Sequence, residues 1–275
     1  MKKTLSALTL SLFVVASCAQ EPIMAPVPLT DAAPVKSQGV KYEAESLFDS
    51  PATSTEAEPI SGECLLAECA SRMPLEPLSM TGTLTMRKVY GVELKKFNFV
   101  VSIHWGAEKP RATYEILSTD GELLETVIAT RKPDGPLELA RFVGKDKVLA
   151  EAPALNSTVL GTDITWLDIT LDFVWWTHPV LSGSGKVKGR LCDILEVEPA
   201  SPMPKCAKAR LWVDREQKMV MQAAQVDENG REVRKMWVRA VQKINKRWVL
   251  KDIEVETLGT GHRTRLHVED VQSAD

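Results

Sequence analysis

The sequence predicts a mainly β protein built on a single large, curved antiparallel sheet. From Pro77 onward, runs rich in β-branched and aromatic residues alternate between apolar and polar positions. Short turns containing Gly, Asn or Asp separate them, so successive runs read as hairpins. There are roughly ten or eleven such runs, with no internal repeat and no second-domain linker among them. Of the 275 residues, 44% are hydrophobic and 26% charged, an ordinary globular composition with enough apolar surface for a core.

The chain opens with a segment that does not belong to that core. "MKK" supplies a positive start, and "TLSALTLSLFVVA" follows without a charge. That stretch is short for a membrane span and reads as a secretory signal. Its end, "VVASCAQ", resembles a bacterial lipobox, in which small residues precede the cysteine that is lipidated. Cys18 is therefore the expected anchor; the other reading is an ordinary signal peptide cleaved after "ASCA". Several acyl chains on one cysteine hold a membrane far more firmly than one chain does. Ala19, rather than Asp, follows the cysteine, which leans the expected location towards the outer membrane. Removing Lys2 and Lys3 takes the net charge from −3 to −5 (−3 minus 2), and nothing in this balance suggests nucleic acid as a partner. Residues 1–17 are thus read as signal peptide and 18–60, rich in Ala, Pro, Ser, Thr and Glu, as a flexible tether. Residues 61–275 are read as the folded domain.

Within that domain, "SGECLLAECASRM" places Leu65, Leu66, Cys69 and Met73 on one helical face, with Ser61 as N-cap and Pro74 as stop. Strands follow, with turns expected at Tyr90-Gly91, Asp120-Gly121 and Asp134-Gly135. Residues 145–172 are less regular, and "TDITWLDITLDF" is read as a helical turn capped by Thr162 or Asp163. "SGSGKVKG" is read as a glycine turn before the next strand. The C-terminal third returns to clean alternation, turning again at Glu228-Asn229-Gly230.

Motifs for chemistry fail on their required positions. "SGSGKVKG" lacks the Ser or Thr that must follow the lysine of a phosphate loop, since Val187 stands there. "LSGSG" places Ser182 where a nucleophile elbow needs glycine. His262 and His267, five apart on a strand, point to opposite faces and cannot share a metal. No metal, cofactor or enzymatic activity is expected. Beyond Cys18, the chain carries Cys64, Cys69, Cys192 and Cys206. In an exported protein these are disulfide candidates, or buried thiols. Cys64–Cys69 is disfavoured by helical divergence and Cys192–Cys206 by hairpin register, leaving helix-to-hairpin bridges in two arrangements.

Several stretches together resemble the LolA/LolB-like outer-membrane lipoprotein-sorting family. They are "MTGTL" at 80–84, "LGTDITWLDIT", "LCDILEVEP", "ARLWVDREQKMVMQAAQVDENGREVRKM", "RWVLKDIEVET" and "RTRLHVED". The resemblance implies an incomplete β-barrel with a leading helix and a short lid helix over an apolar concave face. It implies acyl chains of lipids or lipoproteins as partners, held non-covalently by a periplasm-facing protein. The anchor at Cys18 departs from the family's soluble carrier and fits a receptor or static binder. The competing expectation is an envelope interaction lipoprotein whose sheet is filled by its own side chains and whose surface docks a protein partner.

Candidate wall residues for an acyl site are Trp105, Trp166, Phe173, Trp175, Trp176 and Trp237, each with ordinary core packing as the alternative. The stretch "LDFVWWTHPV" carries three of them. Asp168 and Asp172 are expected there as caps or turn residues. Alternation on an extended chain would turn at most one of Trp175 and Trp176 inward.

Overall fold

In the computed structural model, residues 61–132, 135–244 and 247–273 are described. The expected lipidation site Cys18, the expected tether and the expected turn residue Asp134 lie outside them. Helix α1 (Gly62–Ser71) begins where the sequence places it: the Ser61 hydroxyl accepts from the Cys64 amide at 3.1 Å. Leu65, Leu66 and Cys69 are its buried face. Gly62 is required by close packing, because a Cβ there would sit 2.4 Å from the Pro179 carbonyl oxygen.

Six strands follow as a meander: β1 (Leu78–Lys88), β2 (Glu93–His104), β3 (Arg111–Leu117), β4 (Leu123–Arg131), β5 (Leu137–Val143) and β6 (Val148–Ala150). A lid segment comes next, made of a 3₁₀ turn (Val159–Gly161), helix α2 (Trp166–Thr170) and a second 3₁₀ turn (Asp172–Trp175). A second meander completes the domain: β7 (Thr177–Val187), β8 (Arg190–Glu198), β9 (Lys208–Asp214), β10 (Val220–Val226), β11 (Glu232–Ile244), β12 (Arg247–Thr257) and β13 (His262–Ser273).

These thirteen strands form one antiparallel sheet in the order β6-β5-β4-β3-β2-β1-β13-β12-β11-β10-β9-β8-β7. The two meanders join where β1 pairs β13, with Leu84 opposite Leu266 and a bulge at Thr81/Gly82. The sheet stays open, with β6 and β7 as its edges. The expected single curved sheet with a leading helix and a short lid helix is therefore present. One strand replaces an expected turn: β7 runs through "THPVLSGSGKV". Its Pro179 and glycines are tolerated because an edge strand is paired on one side only.

The main core lies between one face of the sheet and α1 with the lid. It joins Leu65 of α1, Phe99 and Val101 of β2, Leu167 of α2, and Leu211, Met236 and Val255 of the second meander. Of the two expected outcomes for the cysteines, bridges or buried thiols, the structure shows thiols. Cys69, Cys192 and Cys206 are buried thiols. Cys69 and Cys206 lie in the main core, whereas Cys192 packs with Val187, Met221 and Val238 in a separate cluster. Cys192 stands opposite Asp214 in the β8–β9 register. Cys206 lies eight residues along the hairpin from that position, too far for a Cys192–Cys206 bridge.

Several strand carboxylates titrate low. Burial acts to raise the Asp214 carboxyl, but hydrogen bonds from Arg190 and from the amides of Gln217 and Glu216 outweigh it and hold it below the usual range. Burial likewise opposes, and Arg265 and His267 override, at Asp252. Lys208 lowers Glu196 directly, and Arg210 adds to the effect. Carboxyls with depressed folded-state pKa values contribute stability that is full above the unfolded value, about 4. That stability is lost as pH falls through the folded values. Thermal melts are expected to be flat from neutral pH to about pH 5 and to drop progressively below about pH 4. A melting temperature unchanged down to about pH 2 would contradict this.

Candidate functional site

The lid is positioned by charge as well as by apolar packing. Thr165 caps α2 in a capping box: its hydroxyl accepts from the Asp168 amide at 3.3 Å, and the Asp168 carboxylate accepts from the Thr165 amide at 2.8 Å. The N-cap is thus Thr165, not Thr162 or Asp163. Asp163 serves elsewhere. Its carboxylate accepts from the Thr264 hydroxyl at 2.9 Å and pairs with His262 at 2.9 Å, tying the lid to β13.

Arg234 on β11 reaches Asp168 at 2.7 Å and also donates to the Asp163 carbonyl. Arg131 on β4 pairs with Asp172. Asp172 in turn accepts from the Trp176 indole at 3.2 Å. Three strands on both sides of the sheet's centre therefore hold one short segment over its concave face.

Between the lid, α1 and the sheet lies a cavity of about 430 Å³. Its floor alternates along the central strands: Met80 and Leu84 of β1, Phe99, Val101 and Ile103 of β2, Leu266 and Val268 of β13. Tyr114 and Ile116 of β3 extend it on one side, and Leu250 and Ile253 of β12 on the other. Ile169, Leu171 and Val174 of the lid form the roof. The connection from α1 to β1, Arg72 to Pro77, forms the mouth with Gln217, Lys218 and the exposed Trp248. Apolar walls with a few polar groups at one end are the usual make-up of a small-ligand pocket, and the volume is within the usual range of about 300–1,000 Å³.

Of the expected wall residues, Trp105 lines this cavity. Trp175 stands behind it, its ring 6.3 Å from that of Trp105 and its face 3.9 Å from the Arg131 guanidinium. Trp166 is buried against Tyr114, edge to face at 6.0 Å. Phe173 and Trp176 are buried in the core around the lid. The expected alternation fails at Trp175 and Trp176, because Trp175 ends a 3₁₀ turn and both rings pack against the domain. Trp237 is on the opposite face of the sheet, 5.9 Å beneath Arg263, because Met236 and Val238 take the inward positions of β11. Trp248, Leu250 and the α1–β1 connection are lining residues that the sequence did not single out.

Burial pushes the Cys69 thiol up to about 12 and the Cys206 thiol up to about 11, so both stay protonated at neutral pH. Among the described residues, no three His, Cys, Asp or Glu side chains converge as a metal-holding group. Among them, too, no helix is long and apolar enough to cross a membrane.

Comparison with known proteins gives the fold. A family model described as an uncharacterized protein matches residues 148–275. No curated protein matches the sequence. A DUF1329-family protein from Desulfovibrio piger superposes with a TM-score of 0.66 at 16% identity, covering 77% of this chain and 91% of that one. An outer membrane lipoprotein-sorting protein domain from Vibrio parahaemolyticus gives 0.66 at 11% identity, with 77% and 91% covered. A LolA-superfamily protein from Nitrosomonas europaea gives 0.58 at 16% identity, with 79% and 95% covered.

Proposed function

Because the chain has the LolA/LolB-like fold, we propose that it binds acyl chains of lipids or lipoproteins in the cavity between sheet and lid. The observation that carries this reading is the cavity itself: apolar on floor and roof, open at one end, and bordered there by Arg72 and Lys218. An acyl chain entering it gains roughly 0.8 kcal/mol per buried CH₂. The mouth is polar, with Glu76 beside Arg72 and with Lys218 paired to Glu68 at 3.2 Å, so a polar head can stay there near water. In this reading the mechanism is non-covalent and the protein acts as a binder; burial keeps the Cys69 and Cys206 thiols protonated and so unsuited to attack a ligand.

The N-terminal reading extends the proposal to the cell envelope. Lipidation at Cys18 would anchor the chain, with residues 18–60 as tether, on the periplasmic face of the outer membrane. There it would assist lipid or lipoprotein sorting as an anchored receptor.

The test is native mass spectrometry of the unlipidated protein, paired with titration by a fluorescent fatty acid. Co-purified lipid, or saturable uptake at one site that a non-fluorescent fatty acid displaces, is the expected result. A ligand-free protein that takes up no probe sinks the proposal and favours the interaction lipoprotein with a filled sheet.

A further inference from the structure

The face of the sheet opposite the lid carries a second recess. It is a groove of about 380 Å³ over β2, β1 and β13, reaching β12 and β11. Thr83 and Thr85 of β1 present hydroxyls to it. In the β1–β13 pairing, Arg87 stands directly opposite Arg263, and Thr85 opposite Arg265. On the other side of β1, Thr85 faces Lys96. Three adjacent strands thus bring cations to one surface, with Lys96 and Arg265 two strand spacings apart, about 10 Å.

Like charges directly opposite in a sheet destabilise it, so the local carboxylates are the first place to look for compensation. They are shared. Glu254, which itself lines the groove, takes both Arg263 at 3.1 Å and Arg239 at 3.2 Å, and Glu256 reaches Arg263 only at 3.9 Å. Asp252 takes both Arg265 at 2.8 Å and His267 at 2.6 Å. Arg87 reaches Glu93 only at 3.7 Å, with both side chains about half exposed, a pairing of little energetic weight. Lys88 and Lys96 line the groove with no carboxylate partner among the described residues. The Arg263 Nε is buried without a hydrogen-bond partner. A purely structural ion-pair ladder explains Arg239 and Arg265. It leaves Lys88 and Lys96 without a carboxylate among the described residues, and it compensates the Arg87–Arg263 juxtaposition only in part.

We infer that this groove is a binding site for a phosphate group. A phosphoanion carries enough charge to bridge cations on three strands. Its oxygens accept from guanidinium, ammonium and the Thr83 and Thr85 hydroxyls together. The site is independent of the acyl cavity, being on the other face of the sheet.

The experiment titrates inorganic pyrophosphate, and separately glycerophosphoglycerol, into the full chain held in a neutral detergent, with calorimetric detection. Saturable pyrophosphate binding is expected. It should weaken roughly ten-fold or more in the Lys88→Gln/Lys96→Gln double variant, as loss of charged hydrogen bonds predicts. It should also vanish as ionic strength approaches about 1 M, where the screening length is about 3 Å. Both lysines are exposed, so the melting temperature and fatty-acid uptake of the variant should not move.

Binding of glycerophosphoglycerol as tight as that of pyrophosphate assigns the site to a lipid headgroup; pyrophosphate alone assigns it to a soluble phosphoanion. Neither ligand binding the parent chain more tightly than the folded double variant would overturn the site. Failed fatty-acid uptake with pyrophosphate binding intact would count against the cavity and leave the groove standing.

Discussion

Arg234→Met is expected to destabilise the domain by about 3–5 kcal/mol, the range for breaking a buried pair by removing one partner. The Arg234 and Asp168 side chains are 12% and 5% exposed, so the carboxylate left behind has little water to turn to. The substitution also removes the donor to the Asp163 carbonyl. Methionine roughly keeps the volume, so the loss reports charge and hydrogen bonding and not a void. For a domain of this size the melting temperature should fall by roughly 10 °C. Adding Asp168→Asn should restore part of it: an uncharged side chain no longer needs a counter-ion, and its oxygen can still accept from the Thr165 amide. A melt of Arg234→Met within about 1 °C of the parent would show that the lid does not depend on this tie.

Leu250→Arg should abolish fatty-acid uptake, by about 100-fold or more, while leaving the fold in place. Leu250 is half-buried on the cavity wall beside the exposed Trp248. A guanidinium there has two options. It can stay inside, where an unpaired charge costs several kcal/mol and repels the apolar ligand. Or it can extend to the mouth along its aliphatic stem, which fills the entrance. Both exclude an acyl chain, and a loss of about 3 kcal/mol in binding is roughly 100-fold. Leu250→Met, nearly equal in volume, should leave uptake within a few-fold. Uptake unaltered in Leu250→Arg, in a protein that melts normally, would place the ligand elsewhere.

What was legible in the sequence was local. Ser61 announces the start of α1 and Pro74 its end because capping and the missing proline amide act within a few residues. Gly91, Gly121 and Gly230 all take the positive φ that their turns require. β7 was illegible because an edge strand needs little β propensity, and its Gly and Ser residues mimic a loop. The site was harder still. Alternation along β11 separates Trp237 from Met236 and Val238, but it does not say which set faces the lid. The bulges at Val238/Ala240 and Ala240/Val241 then reset the pattern further along. The mouth depends on a helix–strand connection and on β12, brought together by the curl of the whole sheet. No window of sequence contains that information.

The pairing of β1 with β13 has a consequence for how the domain is made and broken. Each meander consists of neighbouring hairpins and can organise locally, but the seam between them needs two strands from opposite ends of the fold. Contacts of such separation form late and slowly. The cavity floor is built across that seam, so it is complete only once β13 has paired with β1. A truncation that removes β13 would not trim an edge; it would cut the sheet through its middle and leave two half-sheets with bare central edges. Such edges pair readily with other chains. Proteolytic loss of this strand should therefore convert the protein into an aggregation-prone species, whereas loss of β6, at the true edge, should be far better tolerated.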